Sequence, residues 1–130
     1  MTLARSKPEF ERLVAAALRG MPARFRQFME RENVVVVVER RPSRAKLLGL
    51  GMNPNSETLF GLYEGIPLTS RGPLSYAGVA PDRITVFSGS ICQLAHDEEE
   101  LARSVRTTVL HEVGHYFGMS DERLHELGWA

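Results

Sequence analysis

Cysteine is close to absent from this chain. Cys92 is the single one among 130 residues, so no internal disulfide can hold the fold. Stability has to come from a packed core of the size a domain of this length can bury. A lone cysteine suits a reducing compartment, and a small buried core residue is its expected role. An excess of charge is also missing: sixteen Lys and Arg balance sixteen Asp and Glu, which leaves no overall field to attract nucleic acid or an acidic membrane. Nor does any apolar run approach the roughly 18 residues of a membrane span. The patch Leu13 to Leu18 is too short for a signal-peptide core, and Glu9 and Glu11 stand just before it. These absences describe one soluble domain, residues 1–130, expected in the cytoplasm as a monomer with no nucleic-acid or membrane partner.

What is present reads as helices around a few strands. Ser6-Lys7-Pro8-Glu9 has the form of a capping box with proline in the first turn. Phe10, Leu13, Val14, Ala17 and Leu18 then recur at helical spacing until Gly20. Pro22 opens a second short helix carrying Phe25, Phe28 and Met29. Val34 to Val38, five β-branched residues in a row, predicts a strand buried on both faces and central in a sheet. Arg40-Arg41-Pro42-Ser43-Arg44 reads as a solvated basic turn, and Leu47 to Ser56 as irregular chain. Thr58 to Tyr63 is the second strand, Pro67 to Pro81 a long surface loop, and Pro81 to Phe87 a third, half-exposed strand with alternating polarity. Asp97 is the expected N-cap of a long helix from about Glu98 to Phe117, with Glu100 completing a box. On that helix Leu101, Val105, Val109, Val113 and Tyr116 fall within one apolar arc.

The helix carries His111-Glu112-Val113-Gly114-His115, an H-E-x-x-H pattern. His111 and His115 lie about 40° apart on the helical wheel, away from the apolar arc, so their imidazoles can converge on one metal ion. Glu112, one step round, can take a proton from a metal-activated water. The pattern continues to Gly118 and Asp121. A glycine in the left-handed conformation ends a helix and turns the chain back, which brings Asp121 round as a third ligand and leaves one position open for water. His125, four residues further, competes for that role. By composition alone, H-E-x-x-H arises about once in a hundred such chains, and with Gly118 and Asp121 added the chance falls to the order of 10⁻⁵.

The run from Thr107 to Asp121, with Leu59 to Leu68 and Pro81 to Phe87, resembles the zincin metallopeptidases. It is most similar to the small bacterial proteins described as minimal zincin-like metallopeptidases. The resemblance implies an α+β, zincin-like fold: N-terminal helices and a small mixed sheet packed against a C-terminal metal-bearing helix. It implies Zn2+ held by His111 and His115, Glu112 as general base, and Asp121 where metzincins have a third histidine. It also implies a peptide or protein substrate lying extended along an edge strand, for which Pro81 to Phe87 is the candidate. The chain departs from metzincins in having no methionine turn beyond Asp121 and no downstream tyrosine to stabilise an oxyanion, so Tyr63 and Tyr76 are the upstream candidates. Two functions follow: a zinc-dependent peptidase, or a zinc-stabilised binding or regulatory module with little turnover. Glu112 argues for the first, since structural zinc needs no base.

Overall fold

Ser6 starts the first helix by the reciprocal bonds its sequence implies: its hydroxyl accepts from the Glu9 N–H at 3.3 Å, and the Glu9 carboxylate accepts from the Ser6 N–H at 3.1 Å. In the computed structural model, which describes residues 4–66 and 82–130, this helix is α1 (Lys7–Arg19). It is followed by α2 (Ala23–Arg31), β1 (Val35–Glu39), α3 (Arg44–Gly49), β2 (Gly61–Glu64), β3 (Arg83–Phe87), α4 (Ser88–Leu94), α5 (Glu98–Tyr116) and α6 (Asp121–Leu127). Six helices and a three-stranded mixed sheet make this an α+β fold among the described residues. The loop expected between Pro67 and Pro81, with Tyr76, lies outside the described residues. No described helix is long and apolar enough to cross a membrane.

Helix α5 is the axis of the molecule. Leu101, Val105, Val109, Val113 and Tyr116 are each 1% exposed or less, so the apolar arc read from the periodicity is the face that packs on α1, β2 and β3. Asp97 caps the helix, accepting from the Glu100 N–H at 2.8 Å. The expected box is displaced by one residue, because the Glu100 carboxylate accepts from the His96 N–H at 3.2 Å rather than from Asp97. Its bonds to the His96 side chain and backbone hold Glu100 below its ordinary range. Cys92 is in the core as expected, and burial pushes its thiol up.

The sheet reverses two expectations. Its order is β1-β3-β2. Central β3 runs parallel to β1, with Val36 opposite Ile84, and antiparallel to β2, with Tyr63 opposite Ile84. Pro81 to Phe87 was expected to be a half-exposed edge; its β3 portion has Ile84, Thr85, Val86 and Phe87 all buried. The valine run, expected at the centre, forms the edge strand β1, and Val35 remains 43% exposed. The physical reason is that a run of β-branched residues reports apolar character but not how many strands flank it. Thr85 is polar yet only 2% exposed, so polarity alternation misreads its position. The second strand begins at Gly61 rather than Thr58, although the Phe60 carbonyl still accepts from the Phe87 N–H at 2.8 Å. Three short helices were not anticipated, α6 among them. α3 falls in the basic turn and the irregular stretch, where Ser43 caps it through the Lys46 N–H at 3.0 Å. α4 follows β3 directly.

Candidate metal centre

The centre is built where α5 ends. His111 and His115 project from successive turns, with ring centroids 4.4 Å apart and planes at 71°. Gly118 then takes φ 78°; its N–H donates to the His115 carbonyl at 3.0 Å and the Met119 N–H to the Gly114 carbonyl at 2.9 Å. This pair of bonds is the Schellman turn, which needs a left-handed residue at its second-last position and therefore favours glycine. Ser120 next caps α6 through the Arg123 N–H at 3.1 Å, so that Asp121 begins α6 with its carboxylate Oδ1 3.9 Å from His115 Nε2. Among the described residues, His111, His115 and Asp121 form a group whose ligand atoms all lie within 4.8 Å of one another. His125, exposed one turn further along α6, is not in that group.

The packing of α6 explains how Asp121 is held there. Leu124 is fully buried, and the side chain sits so close over Gly114 that a Cβ on residue 114 would collide with Leu124 Cδ2. Gly114→Ala is expected to push α6 outward and destabilise the fold by about 1–3 kcal/mol, the usual range for overpacking. Denaturant unfolding measures this, and a variant as stable as the parent would show that α6 does not need this close approach.

Glu112 is on the other side of the histidines, under β2. Its side chain is buried, and Oε1 accepts from the Tyr63 main-chain N–H at 3.0 Å while lying 3.2 Å from His115 Nδ1. Antiparallel ladders alternate between paired and outward-facing residues. Because Phe60 pairs with Phe87 and Leu62 stands opposite Thr85, the main-chain groups of Gly61 and Tyr63 point away from β3, and it is from that side that the Tyr63 N–H reaches Glu112. Gly61 also lets α5 approach: a Cβ there would lie 2.6 Å from Thr108 Cγ2 and 3.1 Å from Glu112 Cγ. An open groove of about 320 Å³ runs beside β2, with Phe60, Gly61, Thr108, His111 and Glu112 in its walls. Among the described strands, the outer one above the centre is therefore β2, not the Pro81 to Phe87 segment.

Tyr63 does not turn its hydroxyl to the histidines as an oxyanion donor; the group donates to Asp82 Oδ1 at 2.6 Å. His96 stays in its loop, against Glu100. Three contributors were missed from sequence: the Tyr63 N–H, Gly61 and Gly114. A glycine inside a strand pattern is a signal of close backbone approach, and Gly61 carried it.

A family model described as "Zincin-like metallopeptidase" matches residues 31–129. No curated protein matches the chain. Among solved structures, a conserved hypothetical protein from Thermo thermophilus has 20% sequence identity and a TM-score of 0.55, over 95% of this chain and 97% of that one. At that identity the likeness is one of fold.

Proposed function

The chain belongs to the zincin-like metallopeptidase family, and from that premise we propose that it is a zinc-dependent peptidase, with His111, His115 and Asp121 as metal ligands and Glu112 as general base. The observation that carries this reading is the meeting of that donor set with a buried carboxylate held by the main chain of β2. Two imidazoles and a carboxylate suit zinc, whereas calcium and magnesium take oxygen shells. The donor atoms lie within 4.8 Å of one another, and three protein donors leave a fourth position open, as catalytic sites do and structural ones do not. Zinc bound there supplies a Lewis acid that polarises a carbonyl and makes water more acidic.

The chain's own residues do the rest. Glu112 has one oxygen fixed by the Tyr63 N–H, which leaves Oε2 to accept the proton of the attacking water and return it to the departing amine. The outward main-chain groups of Gly61, beside the groove, pair with an extended peptide, a mode that reads backbone more than side chains. The second reading, a zinc-stabilised binding or regulatory module, is favoured by one observation: the Tyr63 hydroxyl is held by Asp82, away from an oxyanion role.

A peptide-library cleavage assay with metal removal and return separates the two. Cleavage is expected with zinc, lost with a chelator and restored when zinc is added back. Cleavage that survives complete metal removal would sink the zinc mechanism. Stoichiometric zinc with no cleavage under any condition would turn the assignment to the binding module.

A further inference from the structure

Both helices that frame the metal centre end in the same turn. At the end of α6, Gly128 takes φ 75°; its N–H donates to the His125 carbonyl at 3.1 Å and the Trp129 N–H to the Leu124 carbonyl at 2.8 Å, the double bond of a second Schellman turn. The first turn carries the chain to Asp121. The second carries it back to α5, where the Trp129 carbonyl oxygen lies 3.2 Å from His111 Nδ1.

In a neutral imidazole, the hydrogen bond made by one ring nitrogen decides which of the two carries the proton. A carbonyl oxygen only accepts, so His111 Nδ1 donates and Nε2 keeps its lone pair. We propose that Trp129 is a positioning residue of the metal centre, its main-chain carbonyl fixing His111 in the tautomer whose Nε2 is free to bind metal. The indole anchors that carbonyl. Trp129 is 9% exposed, and its ring meets Phe25 of α2 edge-on, with centroids 5.9 Å apart. Phe25 packs in turn on Phe117 at 5.0 Å, so α2, the end of α5 and the segment after α6 close on one another behind the histidine. Burial of an indole removes about 150–250 Å² from water, enough to hold a short segment in place. The two histidines are thus oriented differently: His115 Nδ1 faces the Glu112 carboxylate at 3.2 Å, whereas His111 depends on the backbone of Trp129.

This inference rests on the metal-centre reading, and its test separates the two. In the metal-free full chain, under alkaline conditions in which imidazole is neutral, long-range proton–nitrogen correlations are expected to report the Nδ1–H tautomer at His111. Trp129→Ala is expected to mix the tautomers at His111, leave His115 unchanged, and weaken zinc binding about 10–100-fold, the usual cost of losing a partner behind a metal ligand. Trp129→Phe should restore both, and Leu127→Ala, at an exposed position at the end of α6, should alter neither. An Nε2–H tautomer at His111 in the parent overturns the proposal, even if Trp129→Ala fails to fold. A folded Trp129→Ala chain with parental tautomer and affinity overturns it as well. A parent that binds no zinc but shows the Nδ1–H tautomer refutes the metal centre while supporting the Trp129–His111 bond.

Discussion

Glu112→Gln is expected to keep zinc and fold while cutting peptide hydrolysis by about 10²–10⁴, the range for removing a general base. The residue is 8% exposed, so its replacement has to fill the same space, and glutamine does. The amide oxygen can still accept from the Tyr63 N–H, as Oε1 does at 3.0 Å, which preserves the link between α5 and β2. What the amide cannot do is take a proton from water. Metal content, circular dichroism and turnover measured on the same preparation decide the point. Equal turnover in parent and variant would remove Glu112 from the mechanism; joint loss of zinc and activity would mean that it acts as a ligand rather than a base.

The largest effects on metal are expected from the ligands themselves. His111→Ala and His115→Ala each remove one nitrogen from a three-donor set, so zinc affinity should fall by more than the 10–100-fold that a lost outer partner costs. Asp121→Ala should also weaken binding strongly, and His125→Ala should not. Both of these last residues are exposed, which makes the comparison clean, because neither substitution opens a cavity. Competition titrations against a chromophoric chelator give the four constants. Loss of zinc in the His125 variant with retention in the Asp121 variant would reverse the assignment of the third ligand.

The reach of the sequence followed the range of the interactions. Helix α5, its Asp97 cap and the turn at Gly118 were all legible, because helical periodicity and a left-handed glycine act within a few residues. His111, Glu112 and His115 were legible for the same reason: their spacing on one helix sets their relative positions before any other element is placed. Sheet order was not. Five valines at Val34 to Val38 announce apolar character, yet whether such a strand is central depends on segments dozens of residues away, and here β3 took the centre. Consequently the strand over Glu112 is Gly61 to Glu64, a segment whose composition gave no sign of that place except the close approach its glycine allows. Only the tertiary structure brings the Tyr63 N–H to Glu112, Leu124 onto Gly114 and the Trp129 carbonyl to His111. Each of these contacts joins elements that no local rule connects, since they form only when the chain has buried its core around α5.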